Sequence, residues 1–211
     1  MIGVATGTYG DRDYWAVLVE RAFRSVQAQT LHCEFQWVHG DTLHEARNEA
    51  ANKLIKRGCD YLIFLDADDE LDYEYAALTS QYAEISSSPF PVVYTATIGI
   101  VDGVRDLSPY MQSPKDILKE NFITIGALHP AALFKEIGGF DDWPVLEDWA
   151  YWAKAFVHGA TFVPCPSAVY EVHISSERLG RNKSAPDSVV SDTFTRIRAL
   201  YGYQAMKAGR Q

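Results

Sequence analysis

Five carboxylates crowd a short stretch that directly follows an apolar run near the end of the first third of the chain. Residues 61–65, with the sequence YLIFL, are typical of a short buried strand. The acids that follow are Asp66, Asp68, Asp69, Glu70 and Asp72. Like charges at the mouth of a buried strand repel one another unless a positive group lies between them. The spacing therefore predicts a positive partner at this point of the chain.

Two other places in the sequence carry residues suited to acid–base or metal chemistry. Glu147 and Asp148 open a segment with helical periodicity, residues 147–159. The helix dipole favours acids at this position, so capping is one interpretation. The other is that one of them takes a proton from a substrate. His173 ends the strand-like residues 160–173 and is either a packed or surface residue or a metal ligand.

The elements that must position these groups follow an alternating order. The patterns predict strands at 2–10, 34–40 and 61–65 and helices at 13–29 and 42–58. This β-α-β-α-β order predicts a parallel sheet covered by helices, and such sheets bind ligands beyond the carboxyl ends of their strands. The turns TGTYG, HGD and DADDE all fall at those ends. The acids are therefore expected where the fold binds ligands.

The second half of the chain changes character. We expect a helix at 72–86, two strands around the turn VDG at 92–110, a strand at 122–130, helices at 131–140 and 147–159, an extended stretch at 160–173 and a last helix at 187–207. The sequence has no internal repeat and no low-complexity segment. We therefore expect one domain, residues 1–186, with a C-terminal helical segment, residues 187–211, packed on it.

Composition limits the class of protein. The chain has 211 residues and a formal net charge of −9, with 47% hydrophobic and 22% charged residues, which is ordinary for a soluble globular protein. The acidic balance argues against a general grip on nucleic-acid phosphates. Three scattered cysteines predict reduced, mostly buried thiols. The sequence has neither a signal-peptide pattern nor an apolar run of roughly 18 residues, so we expect a cytoplasmic protein without a transmembrane segment.

Several motifs in order resemble a family 2-type glycosyltransferase of the GT-A fold. They are TGTYG, FLDADDEL, the GGFD turn, the ED pair and the late histidine, and together they span residues 2–176. The resemblance implies an α/β fold, a single GT-A (Rossmann-like) domain with a mixed, mostly parallel sheet flanked by helices. It also implies a nucleotide-sugar-binding half at 1–90 and an acceptor half at 91–186. One departure is that WVHGD passes almost directly into TLHEARNEA, where the family usually has a longer segment.

On this resemblance, the positive partner of the acids is a divalent cation that carries a diphosphate. Mn²⁺ or Mg²⁺ prefers carboxylate oxygens and bridges to phosphate oxygens. The family pattern implies Asp66, Asp68 and His173 as metal ligands, with Asp66 either contacting the ribose or sharing the ion through water. Asp69 would support the loop. The alternative is a solvated acid cluster that caps a helix.

The resemblance also implies the reaction. Asp148 would act as general base on the acceptor hydroxyl as it attacks the anomeric carbon, with Glu147 as a supporting contact. One in-line displacement inverts the configuration, so the expected enzyme is a metal-dependent inverting glycosyltransferase that transfers a single sugar. The expected partners are a nucleotide-sugar donor, with UDP favoured, and a hydroxyl-bearing acceptor of the saccharide, lipid-carrier, protein or modified-nucleobase class.

The expected donor-binding residues are Thr8, Tyr9, Asp41, Arg47, Asp66 and Arg178. Thr8 and Tyr9 end the first strand and are either ligand contacts or a plain turn. Asp41 stands where the family places an acid that contacts the base. Arg47 either reaches the nucleotide or pins the acid-rich loop. Arg178 belongs to a basic stretch, residues 175–186, that is either a lid or a solvated linker.

Two other function classes compete with this interpretation. The first is a non-catalytic GT-A-like module that binds a sugar or a partner, against which the complete set of acids argues. The second is a sugar nucleotidyltransferase, which would carry a longer, basic, glycine-rich loop after its first strand. The acidic sequence TGTYGDRD does not fit that loop.

Overall fold

Three parallel strands form the centre of the first sheet. The computed structural model of the chain describes residues 1–106, 108–176 and 181–210. The elements of the first half are β1 (Ile2–Tyr9), α1 (Arg12–Gln27), β2 (Cys33–Gly40), α2 (Leu43–Lys56), β3 (Tyr61–Phe64), β4 (Glu70–Leu71) and α3 (Tyr75–Ile85). Strands β2, β1 and β3 pair side by side in parallel because the crossovers through α1 and α2 return the chain to the same edge.

The second half adds one antiparallel strand to this sheet and builds a second sheet. Its elements are β5 (Pro91–Val101), β6 (Val104–Arg105), β7 (His129–Pro130), α4 (Ala131–Ile137), α5 (Glu147–Val157), β8 (Thr161–Ile174), α6 (Arg181–Ser184) and α7 (Asp187–Lys207). Strand β7 pairs with β3, and the second sheet has the order β4-β8-β5-β6. A bridge between Val93 and Leu128 joins the two sheets. The mixed, helix-flanked α/β architecture is confirmed.

Several segments differ from expectation: the second strand expected within 92–110 is only the two-residue β6, and the short helix α6 was not expected. Two other differences bear on the site. Of residues 122–130, all of which the structure describes, His129 and Pro130 form β7. Phe122, Ile123 and Ile125 are buried in the core from irregular backbone, so their apolar pattern reports burial and not strand pairing. Strand β4 was not expected. Its two residues pair with β8 and carry the end of the acidic run into the second sheet.

The C-terminal helix α7 lies against α5. The rings of Trp149 and Phe194 are 4.8 Å apart, and the Tyr201 hydroxyl donates to Asp141 Oδ2 at 3.1 Å. Helix α7 is therefore held both through its apolar side and through a hydrogen bond. The division of the chain at residue 186 stays a prediction.

Two further expectations concern the cysteines and the apolar helices. Cys33, Cys59 and Cys165 are buried free thiols. Burial raises the pKa of Cys33 to about 12, which leaves this thiol protonated and unreactive at neutral pH. Within the described ranges, no helix is both long enough and apolar enough to cross a bilayer.

Helix α2 packs closely on β1 at Gly7, which makes this glycine a test of the packing. A Cβ added at Gly7 would lie 2.6 Å from the backbone nitrogen of Arg47, and backbone cannot move without displacing α2. We expect Gly7→Ala to lower the free energy of unfolding by about 1–3 kcal/mol, measured by urea denaturation. The control is Gly202→Ala in α7, where a Cβ meets nothing within 4 Å and helix propensity favours alanine. Equal stability of the wild type and Gly7→Ala would contradict this packing.

Candidate active site

The carboxyl ends of the central strands bring the first group of predicted residues to one edge of the sheet. Tyr9 at the end of β1 stands in register with Gly40 at the end of β2, and β3 pairs with β1 up to Phe64. The Leu65 N–H continues this pairing by donating to the Ala5 carbonyl at 3.0 Å. The chain then leaves the sheet as residues 66–69, here called the acid loop. The parallel order thus places the acid loop beside the turn that follows β1.

Arg47 of α2 joins the acid loop to the start of α5. Its Nη2 donates to Asp66 Oδ1 at 2.6 Å, and its Nη1 donates to Glu147 Oε1 at 2.9 Å. The arginine is only 3% exposed, and its guanidinium lies 5.3 Å from the centroid of the Phe140 ring. Each of these hydrogen bonds joins two charged groups, and charge-assisted bonds are shorter and stronger than neutral ones. Of the two roles open to Arg47, its contacts are those of a residue that pins the acid loop.

A second arginine contacts the backbone of the acid loop from the other side. Arg21 of α1 donates through Nη2 to the Asp68 carbonyl oxygen, and its Nε lies 3.9 Å from Glu70 Oε2. Arg47 and Arg21 thus place positive charge beside the acidic run, with Arg47 bound to the Asp66 carboxylate and Arg21 near that of Glu70. The expected cation stays a prediction.

Asp69 faces inward and holds the acid loop to β8. It is buried, and its Oδ1 accepts a hydrogen bond from the His173 backbone N–H at 2.9 Å. Burial first, and then the charges of Asp66 and Asp68, raise the pKa of Asp69 well above its usual value. These contacts agree with the supporting role expected for this residue.

Tyr170 of β8 is a functional neighbour that the sequence reasoning missed. Its hydroxyl accepts the Asp66 backbone N–H at 3.2 Å and forms a second hydrogen bond with the Asp69 carboxyl group. Its ring is buried against Gly126, where any Cβ would clash with the ring carbons. The sequence predicts an extended stretch here, but no local signal points from Tyr170 to the acid loop about 100 residues earlier.

His173 lies near the acid loop, but its side chain contacts Glu70 and stands close to Glu171. Its Nε2 is 2.6 Å from Glu70 Oε2, and Glu171 is bound by Arg105 at 2.7 Å. Within the described part of the chain, Glu70, Glu171 and His173 are the group of metal-binding residue types whose ligand atoms all lie within 4.8 Å of one another.

The set expected from the family pattern, Asp66, Asp68 and His173, does not form such a close group among the described residues. Burial and the Arg21 charge lower the pKa of His173, and Glu70 opposes them. A neutral imidazole is the form that binds a metal. The metal-ligand assignment stays a prediction.

Asp148 stands in the first turn of α5, partly exposed, with a defined hydrogen-bond partner. Its Oδ2 accepts from Asn121 Nδ2 at 2.9 Å. Burial raises the pKa of the Asp148 carboxyl group, and the Trp149 N–H and the Arg47 charge oppose that rise. Leu146, just before the pair of acids, has a left-handed φ of 57°, and its N–H donates to Asn182 Oδ1 at 3.1 Å. The helix therefore begins at an unusual backbone turn that aims its first acids towards Arg47 and Asn121.

Thr8 is buried and its hydroxyl is engaged within the protein. It accepts from Trp37 Nε1 at 2.8 Å and lies 3.0 Å from His39 Nδ1. Thr8 therefore fixes the ends of β1 and β2 to each other. Tyr9 is 37% exposed, and its carbonyl accepts from Trp15 Nε1 at 2.8 Å.

Asp41 is exposed and lines two clefts along this edge. The larger cleft, about 480 Å³, also includes His39, Glu45 and Glu49. The smaller, about 220 Å³, extends from Tyr9 to Glu147. Tyr9, Asp41 and Glu147 thus share one cleft, and Arg178 lies outside the described residues.

Asn48 connects α2 to the GGFD turn. Its Nδ2 donates to the Phe140 carbonyl at 2.9 Å, and its Oδ1 accepts the Phe140 N–H at 2.8 Å. Gly139 has a φ of 78° and could not carry a side chain here because its Cβ would overlap Asn48. Together, Arg47 and Asn48 tie the two halves of the chain at one place.

Comparisons with known proteins give a fold and no family. No protein-family model matches the chain, and no curated protein matches it. Among solved structures, residues 1–349 of Staphylococcus aureus TarS with UDP-GlcNAc match with a TM-score of 0.67 at 14% identity, over 100% of this chain and 68% of that one. The complex with UDP gives 0.62 at 14% identity and 67% of that chain, and whole TarS gives 0.64 at 14% identity and 40%. The chain thus has a glycosyltransferase-like α/β fold. It spans about two thirds of the TarS 1–349 structures and 40% of whole TarS.

Proposed function

We propose that this chain is a metal-dependent, inverting glycosyltransferase that transfers one sugar from a nucleoside-diphosphate sugar to a hydroxyl acceptor. The observation that carries the proposal is the position of Arg47 between Asp66 and Glu147. This contact brings the acid loop and the acidic start of α5 together at the carboxyl edge of the sheet. A donor-binding group and a candidate base therefore share one site, as a transfer reaction requires.

The fold supports a nucleotide-sugar donor. TarS, which shares the fold, has been crystallised with UDP-GlcNAc and with UDP, and UDP is accordingly the favoured nucleotide. Tyr9 and Asp41 line the cleft that reaches Glu147 and are the proposed nucleotide contacts. Thr8 acts indirectly, by fixing the strand ends that shape the cleft.

The types of donor atom in and beside the acid loop suit a hard divalent cation, and the ion would draw together Asp66, Asp68 and His173, whose ligand atoms are not grouped among the described residues. Carboxylate oxygens from the acid loop, with one imidazole, form the donor set that Mn²⁺ accepts, and carboxylates alone suit Mg²⁺. The hydrogen bond from the His173 N–H to Asp69 ties β8 to the acid loop and keeps the imidazole on that side of the site. Asp66, Asp68 and His173 would hold the ion. When bound, the ion would offset the charge that develops on the diphosphate leaving group.

Asp148 is the proposed general base. As the acceptor oxygen attacks the anomeric carbon, Asp148 takes the hydroxyl proton, and the bond between that carbon and the diphosphate oxygen breaks. The bond pair leaves with the nucleoside diphosphate, and configuration inverts. The raised pKa of Asp148 suits this role, because a general base works best when its pKa approaches the working pH. Glu147 supports it by holding Arg47 in place.

A thermal-shift screen tests the proposal. UDP-, GDP-, dTDP- and ADP-type sugars would each be added with Mn²⁺, with Mg²⁺ and with chelator. A donor at about a hundredfold excess over its Kd adds about 2.7 kcal/mol of stability, which raises Tm by roughly 5–10 °C. We expect one nucleotide class to give this rise, and chelator to abolish it.

Asp68→Asn should remove the metal-dependent part of the Tm rise, because it deletes a charged ligand while keeping the side-chain shape. Asp187→Asn, an exposed change of the same charge at the start of α7, is the matched control and should behave as wild type. If no donor raises Tm under any condition and no nucleoside diphosphate is released, the chain is a binding module and the proposal fails.

A further inference from the structure

Asn121 lies in the irregular segment between β6 and β7 and reaches across to the first turn of α5. Its Nδ2 donates to Asp148 Oδ2 at 2.9 Å, and its Oδ1 accepts the Ile123 backbone N–H at 3.1 Å. A backbone N–H can only donate, so Oδ1 must face Ile123 and the amide N–H must face the carboxylate. Both ends of the amide are thus assigned by their partners.

The segment around Asn121 is anchored on both sides. Trp149 of α5 donates through Nε1 to the Ile117 carbonyl at 2.6 Å. Phe122 is buried, with its ring 5.3 Å from that of Tyr94 and 5.6 Å from that of Phe162. Asn121 therefore stands between two fixed points, and its amide is a rigid donor to Asp148 and not a swinging surface group.

We propose that Asn121 is a positioning residue for the general base: its amide N–H sets the orientation of the Asp148 carboxylate and favours its ionised form. The inference rests on the proposed function, because orientation matters only if Asp148 takes a proton. A hydrogen bond donated to a carboxylate stabilises the charged form over the neutral acid. A base held in one orientation also avoids the loss of rate that misalignment brings.

The other charges that face Asp148 come from three elements. Arg47 of α2 favours the ionised form, and Asp66 of the acid loop disfavours it. Glu147 of α5 is ion-paired with Arg47, so its negative charge offsets part of the arginine's positive charge. Asn121 adds an uncharged hydrogen-bond donor to these groups. Substitutions at Asn121 leave the three acids and the arginine in place, so the effect of the amide can be measured separately from the effects of the charges.

Two substitutions and one control make the test. Asn121→Ala removes the donor, and Asn121→Asp keeps the shape but places a second carboxyl group against Asp148. For Asn121→Ala we expect kcat to fall about tenfold while KM for the donor stays unchanged. The loss is smaller than the hundredfold or more that a general base contributes to the rate, because the base itself remains. The acid limb of the pH–kcat/KM profile should move about one pH unit upwards. Asn121→Asp should move it further, because adjacent carboxylates repel.

Asn52→Asp, at an exposed position of α2, changes the net charge equally and should leave kcat and the profile unmoved. A ¹³C NMR titration of the Asp148 carboxyl group, identified by its loss in Asp148→Asn, measures the same pKa change without any substrate.

Failure of the inference about Asn121 can be distinguished from failure of the proposed function. If the wild type transfers sugar, and both Asn121 variants keep its acid limb and its Asp148 titration, the inference is overturned and the proposed function stands. If the wild type transfers no sugar from any donor, the proposed function fails and takes the role of Asn121 with it. A tenfold loss of kcat with no change in either pH measurement would also overturn the inference, because a merely structural defect gives that result.

Discussion

Asp148→Asn is expected to lower kcat by about 10²–10⁴-fold while leaving donor binding intact. Asparagine has the same shape as aspartate but cannot take the proton from the acceptor hydroxyl. The Arg47 bridge does not involve Asp148, so the donor side of the site should keep its structure. Release of nucleoside diphosphate in the presence of acceptor measures kcat, and the thermal shift with donor measures binding.

The pH dependence gives a second, independent sign of the same role. A base must be deprotonated, so wild-type activity should fall as the pH drops through the pKa of Asp148, which lies above its ordinary value. The residual activity of Asp148→Asn should lack this limb. Asp187→Asn is again the charge-matched control. An Asp148→Asn enzyme with wild-type kcat would show that another group is the base.

Arg47→Met is expected to lower the free energy of unfolding by about 3–5 kcal/mol and to abolish donor binding. Methionine keeps the apolar stem but removes the guanidinium, so the Glu147 side chain, only 11% exposed, is left without its partner. Asp66 loses its partner as well and the acid loop loses its anchor. Urea denaturation followed by circular dichroism measures the stability.

Two further variants make the result for Arg47 interpretable. Arg24→Met removes an exposed ion pair with Glu20, whose partners are 75% and 54% exposed, and should cost only about 0–1 kcal/mol. Arg47→Met combined with Glu147→Gln should recover part of the stability, because no unpaired buried charge remains. If Arg47→Met were as stable as Arg24→Met, the bridge between Asp66 and Glu147 would not hold the two halves together.

The crowding of acids after β3 is partly relieved by side chains of the protein itself. Arg21 and Arg47 already provide positive charge on either side of the acid loop. The proposed cation would therefore join a partly neutralised site. Each arginine comes from a helix packed on the first sheet, so both contacts tie the acid loop to that sheet.

The parts of the fold that follow local rules were predicted well. The strand and helix patterns of the first 65 residues lie within a few residues of the observed elements, because each pattern reflects whether a local segment alternates or repeats every three to four residues. The same patterns fixed where the acids leave the sheet. The irregular residues 122–127 were misjudged, since burial alone makes an apolar run resemble a strand.

The sequence by itself determined the order of the elements, the edge of the sheet at which Asp66 and Asp68 emerge, and the presence of two acids at the start of α5. The tertiary structure alone decided which groups meet there. Arg47 reaches partners 19 and 100 residues away, Tyr170 reaches back 104 residues to Asp66, and Asn121 meets Asp148 across 27. Such contacts depend on how helices pack on the sheet and not on spacing along the chain, so no local pattern could have revealed them.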